Sequence, residues 1–244
     1  MILTDDNFAT IVKAVEYGRA IYTSLSNYIR CQMTWLVAFI ASYLGAAVFY
    51  IAGGVPFATQ VVLWINFLVQ VPIAIALGFD EPATGLMERK PRPLSQPVLS
   101  RGQWLRIVFL GILMAAGTLV LEKAYTPAGD AVMFTMGFAV FSLFSVVIGL
   151  SSRSETGSAF NREILHNRHQ VLLYGLSLLL TLLPTELSFL QNHFGLTGLN
   201  MSQWLICAGF AFALLLVDEV IKIFMRSRRS HAETTVALPA PAQA

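Results

Sequence analysis

Asn66 and Gln70 lie four residues apart in an otherwise apolar run, and Pro72 follows two residues later. A spacing of four puts both amides on one helical face. Proline has no amide hydrogen, and its ring clashes with the carbonyl one turn back, so backbone oxygens around Val69 are released. Amide oxygens and freed carbonyls are hard, neutral ligands suited to a cation. The same amides serve equally well as hydrogen-bond partners of neighbouring helices, so the residues alone leave both readings open. Asp218 and Glu219, beside Lys222, read as an interfacial ion-pair cluster, and Glu186 after Pro184 as a carboxylate that reaches water.

Other chemistries lack their residues. There is no Gly-x-x-x-x-Gly-Lys phosphate loop, and His166 and His169 form a lone pair on a polar loop. Serines, histidines and acids are scattered along the chain, which gives a hydrolytic triad no geometric basis. Cys31 and Cys207 sit in separate apolar runs and indicate neither a disulfide framework nor a zinc site.

The elements that must position Asn66 and Gln70 follow from composition. Of 244 residues, 56% are hydrophobic and 12% charged, the mean hydropathy is +0.65 and the net charge is +2. That is about half the charge of a soluble domain. Disorder needs the opposite balance, and a net charge this small gives nucleic acid nothing to recognise. The fold expected is all-α, a polytopic bundle embedded in the lipid bilayer. Residues 31–79 carry no charge and break once, at Gly53-Gly54-Val55-Pro56. This predicts spans at 32–51 and 60–79, each about the 20 residues that a bilayer requires. Uncharged stretches predict further spans between Arg106 and Glu122, Asp130 and Arg153, and His169 and Glu186, with a sixth at 203–220. The third is short, which predicts Trp104 at the interface and Arg106 snorkelling to the headgroups.

With a cytoplasmic amino terminus, every basic residue except Lys123 falls on the inner side. That bias predicts six spans and two cytoplasmic termini. The outer connections are then 52–59, 122–130 and about 190–202. Met1–Asp6 opens with acid and does not read as a secretory signal. Apolar positions at helical spacing from Phe8 to Ile29 predict a long cytoplasmic stalk helix leading into the first span. Pro82, Pro91, Pro93 and Pro97 predict an extended linker from Asp80 to Gln103, and the Ala/Pro-rich end predicts disorder.

Several motifs then carry a family resemblance. Residues 3–22, from Leu3-Thr4-Asp5-Asp6-Asn7 to Ala20-Ile21-Tyr22, resemble the junction of the phosphorylation domain and the fifth transmembrane helix in type II P-type cation ATPases, the calcium and sodium/potassium pump superfamily. Leu63-Trp64-Ile65-Asn66, Ala76-Leu77-Gly78-Phe79 and Met87-Glu88-Arg89-Lys90-Pro91-Arg92 are similar to the sixth helix and its linker. Ser151-Ser152-Arg153-Ser154-Glu155, Gln203-Trp204 and Val217-Asp218-Glu219-Val220-Ile221-Lys222 resemble later helices. The resemblance implies that the six spans are helices five to ten of a ten-helix pump. Residues 1–31 would be a remnant of the phosphorylation domain plus stalk, 32–225 the transport domain and 226–244 a disordered tail.

The resemblance also implies ATP and Mg2+ bound by domains that this sequence does not contain, so no cofactor and no catalytic residue is expected here. The chain then reads as a fragment of a larger product, in the plasma membrane, partnered by the missing amino-terminal domains and by the transported cation. The cation-pathway candidates are Asn66, Val69, Gln70 and Ser145, with Pro72 breaking the helix. The family's Asn-x-x-Thr-Asp-Gly reads Asn66-Phe67-Leu68-Val69-Gln70-Val71 here, which puts an amide where the calcium pumps hold a key carboxylate. Leu36, Phe39 and Ser145 stand at further positions where those pumps place polar or acidic ligands. Loss of these carboxylates removes the charge that offsets calcium dehydration. The alternative is half of a six-helix secondary transporter or a non-enzymatic membrane partner, although the repeat symmetry of such a half is not visible.

Overall fold

The structure, a computed structural model, describes residues 8–79, 87, 98–153 and 167–236, with the backbone alone at residue 8 and at 226–236. The linker expected from Asp80 and the loop bearing His166 fall largely outside them. Helix α1 (Phe8–Phe49) runs unbroken for 42 residues because no proline interrupts it. At 1.5 Å per residue it is about 63 Å long, twice the hydrocarbon thickness, so stalk and first span form one rod. It ends where Tyr50 (φ 52) and Ala52 (φ 52) enter the left-handed region, and Gly53 and Gly54 complete the 3-10 turn Ile51–Gly54.

The second span is segmented. Helix α2 (Thr59–Trp64) widens into a π turn at Ile65–Val69 before α3 (Gln70–Gly78), and the Gln70 amide reaches back five residues to the Ile65 carbonyl. Pro72, which cannot donate to the turn below, lies just past this widening. Helix α4 (Arg101–Tyr125) starts in a capping box. The Gln103 amide donates to Ser100 Oγ, and Gln103 Oε1 accepts the Ser100 amide. A 3-10 turn, Thr126–Ala128, links it to α5 (Asp130–Ser152). Helix α6 (Arg168–Glu186) bends by 81° past Pro184 into α7 (Ser188–Phe194), and α8 (Met201–Val236) follows.

Helix α5 is the hub, packed against α1, α3, α4, α6 and α8, while α1 lies along α4 and α3 along α6. Phe39, Phe57 and Phe141 interlock at its centre, with Phe141 4.4 Å from Phe39 and 5.2 Å from Phe57 between ring centroids. A helix buried on so many sides must be apolar all round, which α5 is. The outward faces are apolar too, including Leu44, Phe109, Leu172, Leu179, Leu205 and Phe212. Such a surface is satisfied by lipid rather than water.

Among the described residues, five helical stretches are long and apolar enough to cross a membrane: Ala9–Phe49, Thr59–Gly78, Arg101–Ala128, Asp130–Ser152 and Met201–Met225. The bent pair α6 and α7 makes a sixth if taken as one span. The chain is an all-α integral membrane bundle.

Four expectations change in detail. The third span is longer than the stretch between Arg106 and Glu122, because both of these side chains are buried inside the bundle. Arg106 does not snorkel; its guanidinium is buried against Asp218. The extended linker stops short of Gln103, since α4 begins at Arg101, and helix α8 continues through residues 226–236 of the segment expected to be disordered.

Candidate cation site

The π turn and Pro72 place Gln70 on the α5 side of the second span, where it is buried. Its Nε2 donates to Ser145 Oγ at 3.2 Å, and Ser145 Oγ donates to the Phe141 carbonyl one turn back at 3.0 Å. Gln70 Oε1 is buried without a hydrogen-bond partner. One residue earlier, the Val69 carbonyl accepts Ser177 Oγ of α6 at 2.8 Å. Three helices therefore bring an amide, two hydroxyls and a backbone carbonyl to one layer of the bundle. All are neutral. Among the described residues no three His, Cys, Asp or Glu side chains gather in a metal-binding group.

The layer is held in register from both sides. Along α6, Gln170 Nε2 donates to the Ala76 carbonyl (3.3 Å), Ser177 to Val69, and the Leu180 carbonyl accepts Trp64 Nε1 (2.8 Å). On α5, Gly149 lies one turn beyond Ser145, and a Cβ there would collide with Ile73 Cγ2. Glycine at that position lets α3 approach α5 closely enough for the Gln70–Ser145 bond.

A second polar layer lies at the stalk end. Arg106 Nε and Nη2 each donate at 2.8 Å to the Asp218 carboxylate, which also accepts Ser151 Oγ and faces Lys222 Nζ at 3.5 Å. Lys222 further pairs with Glu219 at 3.4 Å. The ion-pair cluster expected at Asp218 and Glu219 is present, and it reaches across to α4 and α5. Beside it, Asn27 Nδ2 donates to the Arg153 carbonyl (2.6 Å), and Arg30 Nη2 to the Ser152 carbonyl (3.1 Å) and to Asn27 Oδ1 (2.6 Å). The stalk is thereby tied to the last carbonyls of α5.

A family model described as "Cation transporting ATPase, C-terminus" matches residues 54–224. The chain belongs to this cation ATPase family. It is 31% identical over 230 residues to "Calcium-transporting ATPase 1" of Schizosaccharomyces pombe, a match covering 93% of this chain and 25% of that protein. It is 29% identical over 244 residues to "Calcium-transporting ATPase type 2C member 1" of Homo sapiens, covering 96% of this chain and 26% of that protein. "Calcium-transporting ATPase 1" of Saccharomyces cerevisiae is 28% identical over 237 residues, covering 96% and 25%. The chain thus spans about a quarter of the length of the curated relatives it matches.

Within this cation ATPase membrane region, the structure joins Gln70 to Ser145 and brings Val69 alongside through its carbonyl. Asn66 is not drawn in with them; it is half-buried and donates to the Val62 carbonyl of its own helix at 2.9 Å. Leu36 is exposed and Phe39 belongs to the aromatic cluster, so neither offers an oxygen. Sequence reasoning missed Ser177. A signal for it exists, because Gln170, Tyr174, Ser177, Thr181 and Thr185 recur every three or four residues and all are buried. A polar stripe along an otherwise apolar span marks an inward face.

Proposed function

We propose that the chain is the carboxy-terminal membrane part of an ATP-driven cation pump in the plasma membrane, with both termini cytoplasmic. Its cation path passes Asn66, Val69, Gln70 and Ser145 where Pro72 and the π turn open the second span. The observation that carries this reading is the buried, unpartnered Gln70 Oε1 within a layer of neutral oxygens. A buried polar atom without a partner costs about 1–3 kcal/mol, and a cation ligated there recovers that cost. The bias of basic residues toward one side supports the orientation.

ATP and Mg2+ would be bound outside residues 1–244, by the domains with which this region is partnered, and supply phosphoryl transfer. The residues here convert its consequence into movement. Displacement of the α1 rod pulls, through Asn27 and Arg30, on the carbonyls of Ser152 and Arg153. Those carbonyls end α5, two turns from Ser145, so the pull alters the Ser145–Gln70 contact and the coordination of the cation.

The relatives are named for calcium transport. Calcium affinity rises with the number of charged ligands, and this layer has none, which supports a cation of lower charge. In the full-length protein, ATP hydrolysis should be stimulated by a monovalent cation more than by Ca2+, and Gln70→Leu should weaken that stimulation at least about tenfold. Unchanged stimulation in the variant would remove the site, and ATP hydrolysis indifferent to every cation would remove the pump.

A further inference from the structure

Glu122 lies on α4, inside a membrane span, and is fully buried. Neither carboxyl oxygen has a hydrogen-bond partner. The side chain fills a cradle on α5: a Cβ on Gly137 would collide with Glu122 Oε1 and come within 2.9 Å of Cδ and Cγ. The absence of a side chain at position 137 is what gives the carboxyl its space.

No charge compensates it. From α1, Tyr43 faces Glu122, but its hydroxyl donates to the Phe57 carbonyl at 2.9 Å, and residues 31–49 are uncharged. From α5, the sole charged residue is Asp130, exposed at the first residue of the helix, about two turns from Gly137, and from α8 residues 201–217 carry none. On α4 itself Lys123 is exposed, and the adjoining turns Ile51–Gly54 and Thr126–Ala128 have no titratable side chain. An isolated carboxylate in such surroundings is so costly that the group takes up a neutralising ligand. One carboxyl without further oxygens around it fits a proton rather than a metal cation.

A route to water lies one turn away. At the end of the bundle remote from the stalk, a hollow of about 560 Å³ is lined by Phe49, Tyr50, Lys123, Thr126, Asp130 and Met133. Thr126 and Met133, both in its lining, are joined by an Oγ1–Sδ contact of 3.5 Å. Glu122 and Gly137 stand one helical turn below them, four residues along each helix.

We propose that Glu122 is a proton-binding site of the membrane domain, separate from the Gln70 layer, loaded and unloaded through the hollow lined by Thr126 and Met133. On loading, the carboxylate accepts a proton from water in the hollow; on unloading, the proton returns there and the carboxylate is left. The Gly137 cradle holds the neutral acid.

The test uses the full-length protein in its native membrane and dicyclohexylcarbodiimide, a lipid-soluble reagent that adds to protonated carboxyls. Adducts are mapped by peptide mass spectrometry at pH 5 and pH 7. An ordinary glutamate would be modified about 80-fold less at pH 7 than at pH 5. Glu122 is expected to be modified, with the pH 7 yield within about threefold of the pH 5 yield. Gly137→Ala, which evicts the carboxyl from its cradle, should restore the ordinary fall. An unmodified Glu122 peptide at both pH values, an ordinary fall in the native protein, or a profile unaltered by Gly137→Ala would each overturn the proposal.

Discussion

Arg106 on α4 and Asp218 on α8 meet through a two-pronged ion pair, with Nε and Nη2 each 2.8 Å from the carboxylate and side-chain exposures of 9% and 1%. Residues 112 apart in the chain thereby fix the stalk-side end of the third and last spans. Asp218→Asn would leave Arg106 and Lys222 facing each other across a neutral amide, at a cost of about 3–5 kcal/mol. Unfolding of the purified full-length protein in detergent should show that loss. Arg106→Met combined with Asp218→Leu should recover at least half of it, because Lys222 keeps Glu219.

Ser177→Ala removes the hydroxyl that the Val69 carbonyl accepts. The expected loss is about 1 kcal/mol, or roughly fivefold in an equilibrium constant, read as a shift in the cation concentration for half-maximal ATP hydrolysis. Thr181→Val is the control. Its hydroxyl donates to the Ser177 carbonyl of its own helix at 2.9 Å, so its removal should leave the cation response unchanged.

Asn27→Leu cuts one of the two ties from stalk to α5, removing the bond to the Arg153 carbonyl and the one accepted from Arg30. About 1–3 kcal/mol of local stability should be lost. Hydrogen exchange should quicken in the last turn of α5 while the α2 and α3 amides keep their protection. If the tie carries movement, cation-stimulated ATP hydrolysis falls further than stability does.

Ala52 holds a left-handed backbone at φ 52, which costs a residue with a Cβ about 1 kcal/mol or more. Ala52→Gly should therefore raise the thermal midpoint in detergent, net of the extra freedom that glycine adds to the unfolded chain.

The spans were legible because each is an uncharged run of the right length, and the turn at Gly53-Gly54 announces itself by residue type. The third span reads short in the sequence because Arg106 and Glu122 mark its apparent edges. Arg106 and Glu122 are both ionisable and both lie inside α4, one paired across 112 residues and the other cradled by a glycine, and neither relationship has a local signature. At the candidate site, polarity points to Asn66 and Gln70 and the family resemblance to Asn66 and Ser145, while the spacing of four puts the two amides on one face. Spacing assumes a uniform helix, and the second span is not one. Ser177 had a periodic signal on its own helix, yet the carbonyl it meets belongs to another.

The π turn at Ile65–Val69 holds one residue more than an α-helical turn would, and one residue corresponds to about 100° of azimuth. Everything from Gln70 to Gly78 is therefore rotated out of phase with Thr59–Trp64. Deleting one residue from the turn would swing Gln70 away from Ser145 and present an aliphatic side chain in its place, with no change to either helix. The turn works as an angular offset built into the span, and an α-to-π interconversion at that point would be a rotary motion of the lower half alone.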